Sequence, residues 1–66
     1  MKATKYSAVI HGEDGGFVSF CPELDIASQG ETEDSALQNL REAVELFLEF
    51  ASQEEIARRE LAYNNL

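Results

Sequence analysis

Apolar and polar positions alternate loosely over residues 3–11. Tyr6, Ala8 and Ile10 point one way, and Lys5, Ser7, Val9 and His11 the other, which predicts a strand. Gly12-Glu13-Asp14-Gly15-Gly16 follows, a string rich in residues free to take positive φ, and it predicts a tight turn. Residues 16–21 predict a second strand, with Val18 and Phe20 on one face and Phe17, Ser19 and Cys21 on the other. Pro22 has no N–H, so it ends the ladder or lies at an edge. Residues 24–31 predict a third, weaker strand, and Gly30 permits a bend out of the sheet.

The period then changes from two to that of a helix. Thr32 suits the N-cap, and Glu33 and Asp34 suit the positive end of the helix dipole. Ser35 stands where a full capping box would have Glu or Gln, so that box reads as incomplete. The helix is expected over residues 33–51. Its apolar residues Leu37, Leu40, Ala43, Val44, Leu46, Phe47, Leu48, Phe50 and Ala51 spread over roughly 200° of the wheel, centred near Phe47, whereas packing on one small sheet needs a little over ~100°. The excess lies at Leu46 and Phe50 on one flank and at Leu48 on the other. Gln38, Arg41, Glu42, Glu45 and Glu49 fill the opposite side. Ser52-x-x-Glu55 has the form of a complete capping box and predicts a break, then a short helix over residues 53–63. Its first turn is acidic, Arg58 and Arg59 come later, and Asn64-Asn65-Leu66 reads as a frayed end. The expected fold is therefore α+β: a three-stranded antiparallel sheet with one main helix packed on one face, plus a short C-terminal helix.

Size makes that core marginal. The 66 residues suffice for a single domain spanning 1–66, and a chain this short buries only about 60% of its unfolded surface. One cysteine excludes an internal disulfide, and no Cys/His spacing suggests zinc. Self-association into a dimer or higher oligomer, or a partner, is the remaining route to stability. A lone thiol fits a reducing cytoplasm. The basic N-terminus leads into no long apolar run, so neither a signal peptide nor a membrane helix is expected. A net charge of -8 would repel a phosphate backbone and attract a basic protein.

Candidate chemistry is sparse. His11, the single histidine, has Glu13 and Asp14 near it in sequence but no nucleophile to activate. Cys21 is followed by Pro22, Glu23 and Asp25, not by the cations that lower a thiol pKa, and reads as a small apolar filler. The loop of residues 12–16 carries acids and leads into a strand, so it resembles neither a phosphate cradle nor a calcium loop. No catalytic, cofactor or metal position is expected. The stripe Glu42, Glu45 and Glu49 is a solvated face or an electrostatic guide for a basic partner. Leu46, Leu48 and Phe50 are either core under the second helix, through Ile56 and Leu61, or an interface. Val9 and Phe17 are placed on the sheet's far face, where they would favour a sheet-mediated dimer.

The order Gly15-Gly16-Phe17-Val18-Ser19-Phe20-x-Pro22-x-Leu24, then Ser28-Gln29-Gly30-x-Thr32, then Ala36-Leu37-x-x-Leu40-x-x-Ala43 resembles the HicB-like antitoxin domain over about residues 6–49. The resemblance implies a degenerate RNase H-like β-β-β-α unit, consistent with the elements read above. It further implies a non-catalytic protein that oligomerises and covers the active site of a small basic HicA-type ribonuclease toxin. Many members add a C-terminal DNA-binding domain. About fifteen residues follow the main helix here, too few for one, so direct nucleic-acid binding is not expected. The functional expectation is an antitoxin-like binding module of a toxin–antitoxin system. The alternative is a solitary homo-oligomeric accessory or small-ligand-binding protein with no cognate toxin. A residual hydrolase would need clustered carboxylates holding metal, which these strands lack.

Overall fold

The computed structural model describes residues 6–65. Three strands, β1 (Val9–Glu13), β2 (Gly16–Cys21) and β3 (Ile26–Gly30), precede two helices, α1 (Glu33–Phe50) and α2 (Gln53–Asn64). The sheet is antiparallel in the order β1-β2-β3, and α1 lies across β3 and β2 and touches β1 only lightly. This is the α+β architecture expected from the change of period.

The β1–β2 hairpin closes on the pair Glu13 and Gly16 around Asp14-Gly15, and Gly15 has φ 78, a value that glycine reaches without strain. Ile10 then pairs with Ser19, and Ser19 with Ser28. Because directly paired residues share a face, Ser19, Ile10 and Ser28 lie together, with Cys21 and Ile26 two residues along. This is the face under α1: the buried Ser19 hydroxyl donates to the Ala36 carbonyl at 2.8 Å.

Strand β2 thus lies the other way over from the expectation that put Phe17 with Val9. Phe17 alternates with Ser19 and Cys21, so it lies on the helix side, half-buried and opposite Gly12. Val9 pairs with Phe20 on the uncovered face. The physical reason is separation. A helix that hydrogen-bonds a strand side chain through its own backbone must come close, and Ser19, Cys21, Gly30 and Ala36 are small enough to allow it. Val18 and Phe20 are not.

The core is correspondingly small: Leu24, Cys21, Ala36 and Leu40 are buried, and Tyr6, Ile26, Val44, Phe47 and Leu48 pack around them. Leu24 belongs to no strand. It sits in the turn of residues 22–25, where the Leu24 and Asp25 N–H groups donate to Cys21 and Pro22 carbonyls and Asp25 takes φ 58. Asp tolerates this left-handed conformation better than most residues. Strand β3 consequently starts at Ile26 and not at residue 24. Strand β1 starts at Val9; of the expected strand 3–11, residues 3–5 lie outside the described residues. The stretch before β1 is held from outside the sheet, since the Ser7 N–H and hydroxyl both donate to the Glu23 carboxylate, at 3.0 and 2.6 Å.

The two capping signals exchange roles. Thr32 and Ser35 form a complete box, with Ser35 N–H donating to Thr32 Oγ1 and Thr32 N–H to Ser35 Oγ, each at 3.0 Å. A serine hydroxyl reaches back as well as a glutamate would. At α2, Ser52 Oγ accepts from Glu55 N–H, but the Glu55 carboxylate turns instead to Arg58 and Arg59. Two oppositely charged side chains one turn away outcompete a single backbone N–H.

Candidate interaction surface

Helix α1 is apolar over a wider arc than the sheet can cover, and the surplus stays in solvent. Leu46 is 59% exposed and Phe50 76%. They stand four residues apart and so adjoin on one face. Leu48, on the opposite flank, is half-buried and packs against the core. Of the two readings, core under α2 or interface, the first finds little cover: Ile56 is half-buried, Leu61 is 61% exposed, and no α2 residue is buried.

Acidic side chains border this strip. Glu42, Glu45 and Glu49 are exposed, and Gln38 donates to Glu42 at 3.1 Å. Glu49 lies in the last turn of α1, where the dipole is negative and no basic residue occurs. Glu45 and Glu49, four residues apart, repel each other. The carboxylates therefore carry a local electrostatic cost that a nearby cation would relieve.

A second open area is the far face of the sheet. Val9 is 52% exposed and its partner Phe20 36%, with Val18 half-buried two residues along β2 and Ala27, paired with Phe20, exposed. Phe20 also joins Pro22, Ala62 and Tyr63 in a shallow apolar depression rimmed by Asp25, Arg58 and Arg59. The sequence reading missed Phe20 as a surface residue, because β2 is apolar on both faces and nothing in its periodicity says which face the helix takes.

His11 Nε2 lies 2.9 Å from Glu13 Oε2 on an exposed strand. Among the described residues, no three His, Cys, Asp or Glu side chains converge as metal ligands. Cys21 is buried beside Glu23, with Sγ to Oε1 at 3.6 Å; burial first, and then the carboxylate, push the thiol above its ordinary pKa. Native protein at neutral pH is accordingly expected to resist iodoacetamide until urea unfolds it, as mass spectrometry would read. Rapid native alkylation would contradict this burial. Glu23 is held below the usual carboxylate range, chiefly by the Ser7 hydroxyl. The Tyr6 hydroxyl donates to Glu60 at 2.7 Å, and that carboxylate, with partial burial, pushes the phenol up to about 12. No helix among the described residues is long and apolar enough to cross a membrane.

A UPF0150 protein of Helicobacter pylori is 38% identical over 52 residues, which make up 77% of this chain and 72% of that relative. The chain belongs to the UPF0150 family. Two UPF0150 proteins of Synechocystis are also similar, one 46% identical over 46 residues and the other 44% over 45, each match covering 67% of the chain. The chain spans 58% and 65% of the lengths of these two. The UPF0150 names state no activity and no partner. No family model matches the chain, and no solved structure matches it.

Proposed function

We propose that this UPF0150 chain is a HicB-like, non-catalytic binding module that acts by covering a small basic protein, as an antitoxin covers a HicA-type ribonuclease. The observation that carries this reading is the exposed pair Leu46 and Phe50 on α1, bordered by Glu42, Glu45 and Glu49. Apolar anchors within a charged border favour a partner with an apolar centre and a basic rim. The net charge of -8 extends the same attraction over longer range. The β-β-β-α order and the motif resemblance support it further. The chain's part is steric and electrostatic, so its residues exclude substrate from the partner and transfer no proton.

The test is affinity purification from the native cell with the tagged full chain, beside the Leu46→Ala/Phe50→Ala and Glu45→Lys/Glu49→Lys variants. The expected result is a small basic protein retained by the original chain and reduced more than about tenfold in both variants, with circular dichroism unchanged. An anchor pair costing 2 kcal/mol or more implies at least that loss. Recovery of self-oligomers alone, or equal capture by the variants, would count against the reading.

The uncovered Val9–Phe20 face favours self-association as a second component, and this holds equally for a solitary oligomeric protein with no toxin. Cross-strand apolar pairs on an open sheet face are stabilised when a second face covers them.

A further inference from the structure

Helix α2 is joined to α1 by two residues, Ala51 and Ser52, both in extended conformation (φ -77, ψ 149 and φ -72, ψ 160). The break is clean: Ala51 N–H still donates to the Phe47 carbonyl at 2.8 Å, and Ser52 starts a new cap. Two dihedral pairs therefore control where α2 lies. The helix has its own N-cap, and Glu55 pairs with Arg58 and Arg59 along its surface.

Its attachment to the body is unlike the packing of α1. No side chain of α2 is buried, so little apolar area holds it down. One guanidinium instead joins three elements. Arg59 Nη1 donates to the Leu24 carbonyl at 2.8 Å, Nε donates to Glu55 at 2.9 Å, and the guanidinium carbon lies 4.6 Å from the centre of the Phe47 ring. Next to it, Tyr6 donates to Glu60. Phe47 adjoins Phe50, three residues on along α1, so Arg59 covers the inner edge of the exposed apolar strip.

We infer that α2 is a hinged strap pinned by Arg59, and that its release widens the Leu46–Phe50 strip by uncovering Phe47. Use of that strip rests on the binding function proposed above, whereas the strap is tested without any partner. A helix of twelve residues is marginal alone. Release consequently shows as lost amide protection over Gln53–Asn64, while the sheet, held by α1, keeps its own.

Hydrogen exchange on the full chain tests it. Arg59→Ala is expected to speed exchange over α2 by about tenfold or more and to leave the central strand β2 unchanged, a factor of ten matching about 1.4 kcal/mol of lost attachment. Arg58→Ala removes a pair internal to α2 and is expected to change α2 exchange less than about threefold. Nile red emission, a neutral probe of apolar surface, is expected to rise with Arg59→Ala. Unchanged α2 exchange in Arg59→Ala would overturn the pin. Equal acceleration in α2 and β2 would overturn the strap, since α2 would then unfold only with the whole domain. Released α2 without added dye emission would overturn the uncovering of Phe47.

Discussion

Gly30→Ala is expected to remove most of the stability of this domain. A methyl group at Gly30 would come 2.5 Å from the Ala36 backbone nitrogen and 2.8 Å from the Ser35 carbonyl carbon, and would strike the Ser35 hydroxyl. Two of these neighbours are backbone atoms in the first turn of α1, which cannot swing aside as a side-chain end can. Relief requires α1 to lift from β3, and lifting breaks the Ser19–Ala36 and Asn39–Gln29 hydrogen bonds, at 2.8 and 2.7 Å. Overpacking costs about 1–3 kcal/mol where neighbours can adjust, and more where they cannot. A chain of this length has a total stability of roughly 3–10 kcal/mol. Urea unfolding followed by circular dichroism should therefore show a large drop in midpoint, or no folded baseline. A midpoint within error of the original would mean that α1 does not approach β3 this closely. Gly15→Ala is the contrasting case: its φ of 78 is strained for alanine, but no atom lies within 4 Å of the added methyl. Its cost should be about 1 kcal/mol.

Leu24→Ala is expected to cost about 2–5 kcal/mol, the range for emptying a fully buried leucine site. Leu24 has no exposed surface and packs with Cys21 and Leu40, the only other members of its buried cluster among the described residues. In a core so small there is little surrounding mass to collapse into the space. Leu46→Ala, at 59% exposure, should move stability by less than about 0.5 kcal/mol in the monomer. Chemical denaturation of both variants measures the contrast. A loss below about 1 kcal/mol for Leu24→Ala would show that the turn of residues 22–25 rearranges freely. Such a turn would be too mobile to anchor Arg59 through the Leu24 carbonyl.

That turn shows where sequence reading stops. Leu24 and Ile26 alternate as strand residues do, so a strand beginning at residue 24 was the natural expectation. The chain instead uses Pro22 to leave the ladder and Asp25, in the left-handed region, to return to it. Alternation is also a property of a turn that aims one leucine inward. At the helix starts, Ser-x-x-Glu carries the stronger pattern and Thr-x-x-Ser the weaker, yet the second forms the full box. The outcome depends on what else Glu55 can reach, and Arg59 is brought to it only by the folded helix.

The candidate surface divides in the same way. The surplus arc at Leu46 and Phe50 was legible because a 3.6-residue period counts directly how much helix surface is apolar. Leu48 was equally legible as surplus, and packs against the core because α1 lies off-centre, over β3 and β2. Arg59 read only as a favourable charge late in α2; its contacts with Leu24 and Phe47 join residues far apart in the chain.

Periodicity, turn residues and caps, all local quantities, sufficed to specify three strands, two helices and their order. Which face of the sheet is covered is a different kind of quantity. β2 is apolar on both sides, and side-chain hydrophobicity alone favours burying Val18 and Phe20. The fold buries Ser19 and Cys21 instead, because the closest approach of helix to sheet is set by the smallest residues on both. Those residues, Ser19, Gly30 and Ala36, meet only when the chain has folded. The sequence alone therefore determined the elements, and the tertiary structure decided which of their faces remain open to a partner.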